Sequence, residues 1–354
     1  MSEATETSPV PDGEPDPARV QPQRSRRRRI LKVLAIIAAV GLVGVVALVG
    51  VTAYYANKYD NNVDRIDGVF AEIPESTRPV KPIDTGQNYL LVGSDIRAKG
   101  PTTGSAAPSS GGGLSDVLMI IHVTADKKAA YVISIPRDSW VDIPGRNKKY
   151  KINGAYSLGG PPLVVRTVEA LTGIRIDHYL AIDMRGFSAM TDAVGGVDIN
   201  VPIDSYDSIN GKRWKAGRQR MDGETALLFV RQRYGLPNSD FDRIKHQHLF
   251  LQALMAKTTD SGQLGNPVKL TRLLNAVTSS LSVDSGLSSG GLRSLAFSLR
   301  GLRGNAVQFL TVPVKGFGRV GQAAVVFLDP VRGEVLYQAV RIDNMGAYRP
   351  LPAK

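Results

Sequence analysis

Charged residues stand at the ends of three apolar stretches, and their types fit phosphate chemistry. The stretches are Asn88–Arg97, Ser115–Ile121 and Tyr131–Asp138. Each is short, rich in β-branched residues and bounded by turn residues, which predicts three buried strands. Charges at the ends of neighbouring strands gather at one edge of a sheet, where open α/β folds bind their ligands. The charged residues concerned are Asp95, Arg97, Asp116, Arg137 and Asp138.

A second group of charges lies later in the chain. If Arg231 and Arg233 belong to an extended segment, their guanidinium groups share one face, because side chains alternate along a strand. Apolar residues recur at helical spacing after Asp240 and Asp242, so either aspartate also suits a helix N-cap. A cap explains an aspartate, but it does not explain three arginines, the third being Arg243, beside an apolar segment.

Together these residues suit a phosphoryl-transfer site. Asp95 and Asp116 could ligate Mg²⁺, which prefers oxygen donors and takes one or two carboxylates beside substrate phosphates. The planar forks of the arginines match phosphate oxygens, and positioning with charge neutralisation supplies most of the catalysis in such sites. The alternative from pattern alone is an ordinary ion-pair cluster at the surface.

Other chemistries have weaker support in the sequence. The chain has no cysteine, which excludes disulfides, thiolate catalysis and cysteine-based zinc sites. It has no P-loop, no GxGxxG motif and no GxSxG motif around its candidate serines. His246 and His248, two residues apart on a predicted helix, point about 200° apart and form a poor metal pair.

The composition predicts a large, basic, folded body. The 354 residues are 43% hydrophobic, enough for one large or two ordinary domains with a sizeable core. The formal net charge is +12, and the excess of basic residues is not confined to one tail. A basic body implies an acidic partner, which leaves nucleic acid, an anionic membrane surface or a phosphorylated substrate.

The N-terminal part predicts a membrane anchor. Residues 1–32 form a polar tail that ends in a cluster of arginines, and residues 33–55 form an uncharged apolar segment. As a helix that segment is roughly 34 Å long, enough to span a bilayer core of about 30 Å. The arginines predict a disordered cytoplasmic tail and an extracytoplasmic body in the cell membrane, out of ordinary reach of nucleic acid. A cleaved signal peptide is the alternative.

The rest of the chain predicts an α/β body. Residues 56–85 are polar and proline-punctuated, which predicts a tether; the body then covers 86–345, and 346–354 form a C-terminal tail. Tyr179–Asp183, Met184–Ala193 and Val197–Val201 are typical of a strand, a helix and a strand, and Gly333–Ile342 of a last helix. This order predicts an α-β-α layered sandwich with a central mixed sheet, preceded by one transmembrane helix.

Several of these blocks, in this order, resemble the LytR-CpsA-Psr family of cell-envelope proteins. The blocks are Asn88-Tyr-Leu-Leu-Val-Gly-Ser-Asp-Ile-Arg97, Ser115-Asp-Val-Leu-Met119, Ser134-Ile-Pro-Arg-Asp-Ser139, Lys151-Ile-Asn-Gly-Ala-Tyr156, Gly195-Gly-Val-Asp198, and Leu227 through Arg231-x-Arg233 to Asp240-Phe-Asp-Arg243. They span residues 86–257. Two departures are Ile96, where serine is frequent, and Asp242, where glycine is frequent.

The resemblance implies a phosphotransferase that moves a glycopolymer from a polyprenyl-pyrophosphate carrier to peptidoglycan, with Mg²⁺ (or Mn²⁺) at the pyrophosphate. Asp95 and Asp116 would bind the metal, and Arg97 would support the carboxylates. Asp240 or Asp242 would activate the acceptor hydroxyl. The arginines expected to bind the pyrophosphate are Arg137, Arg231, Arg233 and Arg243.

The resemblance also implies an apolar tunnel for the prenyl chain, with the helices after Pro162 and after Asp242 as candidate walls. Two alternatives remain open from the sequence. One is a hydrolase that splits polyprenyl pyrophosphates with water as the acceptor. The other is a non-enzymatic polyprenyl-lipid binder or envelope regulator.

Overall fold

The structure, a computed structural model, describes residues 63–94, 115–259, 275–276, 279–288, 290–292, 294–295, 298, 302 and 306–352. The predicted cytoplasmic tail (1–32) and transmembrane helix (33–55) lie outside these residues, as do Asp95 and Arg97. Within the described ranges, no helix is both long and apolar enough to cross a bilayer.

Runs of consecutive strands are separated by one or two helices along the described chain. The strands are β1 (Asp64–Ile66), β2 (Gln87–Ser94), β3 (Ser115–Val123), β4 (Ala130–Ser134), β5 (Trp140–Asp142), β6 (Lys149–Lys151), β7 (His178–Asp183), β8 (Val197–Val201), β9 (Ser205–Asp207), β10 (Lys212–Trp214), β11 (Gly217–Met221), β12 (Leu281–Asp284), β13 (Val307–Thr311), β14 (Val314–Val320) and β15 (Ala323–Leu328). The helices are α1 (Gly154–Thr172), α2 (Met184–Ala193), α3 (Gly223–Arg231), α4 (Asp240–Thr259) and α5 (Pro330–Arg341).

Seven of the described strands form one central sheet in the order β1-β12-β7-β2-β3-β4-β13. β7 runs parallel to β2 and β13 parallel to β4, whereas β3 runs antiparallel to both β2 and β4. The mixed central sheet predicted from the sequence is therefore confirmed, and the three apolar stretches at its centre are strands as expected. β4 is buried along its whole length, because both faces of the sheet are covered.

Each face of the sheet packs on its own core. Leu90 and Val92 of β2 belong to the larger core, together with Val164 of α1 and Leu336 of α5. Tyr89 points to the opposite face and a second core, because neighbouring side chains of a strand alternate. The α1 helix, whose later part the sequence predicts from Pro162, is thus part of the main core.

Residues 63–85, part of the stretch predicted as a tether, pack against the body instead. β1 extends the central sheet by pairing with β12, and Val69 and Ile73 are buried in the larger core. Arg78 donates two hydrogen bonds to Glu169 of α1 and a third to the carbonyl of Ile176. The folded body therefore begins earlier than its predicted start at residue 86. The sequence predicted a tether here because the segment contains several prolines and most of its residues are polar.

A third, smaller core joins α2, α3 and α4 to the ribbon of β8 and β11. The predicted α2 and β8 are confirmed with the same bounds. Asp183 caps α2 by accepting a hydrogen bond from the N–H of Gly186, and Asp222 caps α3 through the N–H of Thr225. Gly196 links α2 to β8 at φ 81°, where a side chain would also collide with the carbonyl of Met221.

Candidate active site

The carboxyl ends of several parallel strands meet the start of β3 at one edge of the central sheet. Ser94, the last residue of β2, pairs with Asp183 on one side and with Ser115 on the other. β4 ends at Ser134 on this same edge, and Arg137 follows three residues later. The register therefore places Asp116 and Arg137 together, as the sequence predicts for charges at neighbouring strand ends.

Arg137 lies at the centre of a cluster of carboxylates. Its Nη1 pairs with Oδ1 of Asp116, and its Nε lies 3.7 Å from Oδ2 of Asp138 and 3.6 Å from Oδ1 of Asp240. Burial opposes the charged form, but the attraction of Asp240, Asp116 and Asp138 outweighs it and raises the pKa of Arg137. The guanidinium therefore stays charged although its side chain is only 13% exposed.

Asp240 joins the two groups of charges that are far apart in the sequence. It is the first residue of α4, where the helix dipole favours a negative side chain. Its Oδ1 lies 3.1 Å from Nε of Arg233 as well as near Arg137, and its Oδ2 accepts a hydrogen bond of 3.0 Å from Arg243. One buried carboxylate thus contacts three guanidinium groups. It is the only acidic group in the described residues with three arginine partners.

Arg243 is the most deeply buried of these arginines. Burial lowers its pKa to about 10, and the neighbouring Asp240 offsets only part of that effect. Arg243 is still protonated at neutral pH, so the guanidinium groups of Arg137, Arg233 and Arg243 face the three carboxylates of Asp116, Asp138 and Asp240.

Some donors at this edge are buried without a hydrogen-bond partner. They are the hydroxyl of Ser115 and Nε of Arg243. The Nε groups of Arg137 and Arg233 and Oδ1 of Asp240 also make no hydrogen bond, but they face one another in ion pairs of 3.6 and 3.1 Å. A buried donor without an acceptor is unfavourable by about 1–3 kcal/mol and needs a specific explanation in a folded protein. A bound phosphate group would supply the missing acceptors. The donor set therefore fits an anionic ligand.

Asp242 has partners unlike those of Asp240. Its Oδ2 accepts a hydrogen bond of 2.8 Å from the N–H of Asn238, and its Oδ1 lies 2.9 Å from Nζ of Lys245. Burial acts to raise the pKa of Asp242, but these hydrogen bonds outweigh it and lower the pKa. Asp242 therefore closes the first turn of α4. A lowered pKa suits this role better than proton abstraction, so its function as a base stays a prediction.

Arg231 is the last residue of α3 and not part of an extended segment. The expectation that it alternates with Arg233 on one face of a strand is wrong, because the helix continues through it and the chain turns only at Gln232. Nη1 of Arg231 lies 3.1 Å from the sulfur of Met184, directly after the end of β7. Arg231 thus lies near the end of β7, while Arg233 reaches Asp240 near the end of β4.

Asp116 is the described carboxylate that the sequence predicts as a ligand for Mg²⁺. Asp116 is 22% exposed, and Arg137 occupies its Oδ1 while no ion pair or hydrogen bond of the described residues involves Oδ2. The described residues contain no group of three His, Cys, Asp or Glu side chains that could hold a metal alone. Because Mg²⁺ needs only one or two carboxylates when phosphate completes its shell, Asp116 fits a cation that is shared with a bound phosphate.

Two polar contributors to the site were not singled out in the sequence. Lys151 lies 2.9 Å from Oδ1 of Asp138, so it fixes the carboxylate next to Arg137. Ser115 points its hydroxyl into the edge and is fully buried. Both residues lie in sequence blocks that carry the family resemblance. Membership of those blocks could have indicated that they belong to the site.

Comparisons with known proteins place this architecture in a family. The LytR_cpsA_psr family model matches residues 52–337. The chain is 34% identical over 286 residues to the probable cell wall biosynthesis protein LcpB of Corynebacterium glutamicum, covering 80% of this chain and 66% of LcpB. It is 32% identical over 200 residues to the polyisoprenyl-teichoic acid–peptidoglycan teichoic acid transferase TagU of Enterococcus faecalis, covering 55% of this chain and 62% of TagU.

A solved structure has a similar fold. The crystal structure of B. subtilis TagV superimposes with a TM-score of 0.61 at 25% identity, covering 76% of this chain and all of that one. The chain matches less than two thirds of the length of LcpB and of TagU. On the family model and the fold, this chain belongs to the LytR-CpsA-Psr family.

Proposed function

We propose that this chain is a phosphotransferase that moves a glycopolymer from a polyprenyl-pyrophosphate carrier to peptidoglycan during cell-wall assembly. Family membership and the activity in the name of the TagU relative support the reaction class. The observation that carries the proposal is the set of three guanidinium groups, those of Arg137, Arg233 and Arg243, gathered around Asp240. Three guanidinium groups around one carboxylate form a site for a diphosphate rather than for a neutral ligand.

The proposed reaction breaks one bond and forms another at phosphorus. The acceptor hydroxyl oxygen attacks the phosphorus nearer the sugar and forms a new P–O bond. The bridging P–O bond of the pyrophosphate breaks, polyprenyl phosphate leaves, and the hydroxyl proton passes to a base. Arg137, Arg233 and Arg243 stabilise the charge that develops on the phosphoryl oxygens, and Asp240 holds these arginines in place.

A divalent cation, Mg²⁺ or Mn²⁺, belongs to the proposal. Asp116 would hold it together with Asp95, which lies outside the described residues. When bound, the cation polarises a phosphoryl oxygen and neutralises its charge. Asp116 meanwhile orients Arg137 through their ion pair, so it serves both the arginine and the cation.

We further propose that residues 33–55 anchor the chain in the cell membrane and that the body faces outward. The length and apolar character of this segment and the arginines before it support this topology. An anchored body would meet its lipid-linked donor at the membrane surface. α1 packs in the main core and α4 in the third core, so both helices stay candidates for the wall of a prenyl tunnel.

The test is a reconstituted transfer assay with Arg137→Ala. The purified full-length chain is mixed with a lipid-linked glycopolymer, with and without peptidoglycan oligomers, and the products are separated. We expect Arg137→Ala to lower transfer at least a hundredfold, while Arg137→Lys, which keeps the charge but loses the fork, recovers only part of it. Arg218→Ala, at an exposed arginine, is the control and should transfer normally.

The same assay distinguishes the proposed transferase from a hydrolase and from a lipid binder. Release of polymer without an acceptor, at the rate seen with one, would identify a hydrolase. Lipid binding without any product would identify a binder. Normal transfer by Arg137→Ala would refute the assigned site. Asp95→Ala is a second variant, expected to abolish transfer without unfolding the chain.

A further inference from the structure

An exposed aromatic ring projects from a hairpin beside the candidate site. β14 and β15 form this hairpin, joined by Gly321 and Gln322, with Gly321 at φ 59°. Phe317, in the middle of β14, is 69% exposed. A large apolar ring exposed this far contributes little to the core.

Contacts with the candidate site hold the hairpin and its ring in place. The ring of Phe317 meets that of Phe241 edge to face, with 5.1 Å between centroids and 84° between planes. Phe241 lies between Asp240 and Asp242 at the start of α4. On β15 the N–H of Val326, the cross-strand partner of Phe317, donates a hydrogen bond of 2.9 Å to the carbonyl of Asp138. The ring is thus fixed beside the arginine cluster.

The chemistry of this surface suits a sugar. The face of an aromatic ring carries partial negative charge, so it attracts the C–H groups on one face of a pyranose. Arg319 lies two residues after Phe317 and therefore on the same side of the strand. Lys315 and Arg319 are both exposed and make this strand basic, and Arg319 donates a hydrogen bond of 2.9 Å to the carbonyl of Gln322 at the turn. A carbohydrate bearing carboxylates would match both the ring and the charges.

We propose that Phe317 is the stacking platform for a sugar ring of the peptidoglycan acceptor strand. This inference rests on the proposed function and adds to it the surface that binds the acceptor. The position favours the acceptor because the ring contacts Phe241, directly after Asp240 at the start of α4 and therefore next to the arginine cluster. The charge favours it too, because peptidoglycan carries peptide carboxylates along its sugar backbone.

The binding test uses the full-length chain in detergent and two soluble probes. The probes are chitotetraose, which has the β-1,4-linked N-acetylhexosamine backbone alone, and soluble peptidoglycan glycan strands. Binding is measured by calorimetry for the wild type, Phe317→Ala and Phe317→Trp. The matched control is Ile209→Ala, since Ile209 is 67% exposed on another loop. Thermal unfolding shows whether each variant is folded.

We expect Phe317→Ala to weaken binding of both probes by about three- to tenfold, the size of a typical aromatic contact. Phe317→Trp should keep the affinity, and Ile209→Ala should bind like the wild type. In the transfer assay, Phe317→Ala should raise the KM for the acceptor by a similar factor. The KM for the donor should stay the same.

Three results would overturn the inference. Phe317→Ala could bind both probes like the wild type, or the wild type could bind neither probe. Alternatively, the substitution could weaken only the donor interaction or only binding to phosphatidylglycerol vesicles, which would make the ring a donor or membrane contact. If the wild type binds the probes through Phe317 but transfers nothing, the proposed function fails while the glycan surface stands.

Discussion

Arg243 donates a hydrogen bond of 3.0 Å from its Nη2 to Oδ2 of Asp240, one helical turn earlier on α4. The two side chains are only 5% and 11% exposed. Asp240 also lies near the Nε groups of Arg137 and Arg233. The pair is therefore the point at which the start of α4 is joined to the end of β4.

Neutralising Asp240 should destabilise the folded chain. Asp240→Asn would leave three guanidinium groups without their shared carboxylate, and breaking a buried ion pair in this way costs about 3–5 kcal/mol. Urea unfolding of the wild type and the variant measures the difference. Asp242→Asn is the control, since Asp242 mainly closes a helix turn, and it should cost only about 1 kcal/mol. Equal losses in both variants would contradict the central role given to Asp240.

Added pyrophosphate should stabilise the chain. The hydroxyl of Ser115 and Nε of Arg243 are buried without an acceptor, so an anion that supplies one binds the folded state and raises its melting temperature. Inorganic pyrophosphate at 100 times its Kd should add about 2.7 kcal/mol to the free energy of unfolding. Sodium sulfate at equal ionic strength is the control. Arg243→Ala should lose the effect, and an unchanged shift in that variant would speak against this site.

Removal of divalent cations should slow transfer. A chelator is expected to abolish product formation, and Mg²⁺ or Mn²⁺ should restore it. Asp116→Asn keeps the shape of the side chain but weakens its attraction for a cation, so it should need more metal for half-maximal rate. Melting curves with and without chelator serve as the control for unfolding. Full activity of the wild type in excess chelator would remove the metal from the proposal.

Acid should destabilise the chain through His248. Burial lowers the pKa of His248 from 6.5 to about 4, and its Nε2 lies 2.8 Å from Oγ of Ser134. The unfolded chain therefore takes up this proton at a higher pH than the folded chain, so stability falls as the pH drops from 6.5 towards 4. Between pH 7.5 and 5 the loss from this group should be about 2 kcal/mol.

Urea unfolding at both pH values measures this loss. His248→Gln keeps a polar partner for Ser134 but cannot take up the proton, so its stability should depend less on pH. His122 and His246 are also buried with lowered pKa values, mainly because of burial, and they add to the slope in both proteins. An equal slope in the wild type and His248→Gln would contradict the assignment.

The contact between Arg78 and Glu169 should hold residues 63–85 on the body. The side chains are 8% and 3% exposed, and Glu169 also accepts a hydrogen bond of 2.9 Å from the N–H of Ile176. Glu169→Gln should destabilise the fold by about 3 kcal/mol, because it leaves a buried guanidinium uncompensated. Limited proteolysis should then cut before residue 86. Glu75→Gln, in an exposed pair with Arg175, should change neither result.

Strand positions and the convergence of Asp116 with Arg137 could be predicted from the sequence. Long β-branched runs leave little choice of structure, and neighbouring strands bring their ends together. α2 was predicted with its observed bounds because Gly195 and Gly196 mark its end. The helical state of Arg231 was harder to predict, since one short apolar run suits either a strand or a helix end.

Two other features depended on tertiary contacts. The packing of residues 63–85 comes from Val69, Ile73 and Arg78, whose partners lie about a hundred residues away or on other elements. The β14–β15 hairpin had a local signal in the sequence. Gly321 stands between two alternating segments, which is typical of a hairpin turn. Local patterns thus set the elements, while long-range ion pairs set which segments belong to the body.

The hairpin of β14 and β15 is attached to the rest of the body through its main chain. Main-chain atoms make hydrogen bonds from Val326 to Asp138, opposite Phe317, and from Asp329 to Pro313 at the base of the hairpin. Such bonds do not depend on which side chains the hairpin carries. If the hairpin binds the acceptor as proposed, replacing the segment from Val314 to Leu328 should change which acceptor glycan is bound, while the ion pairs of Asp240 with Arg137, Arg233 and Arg243 stay in place.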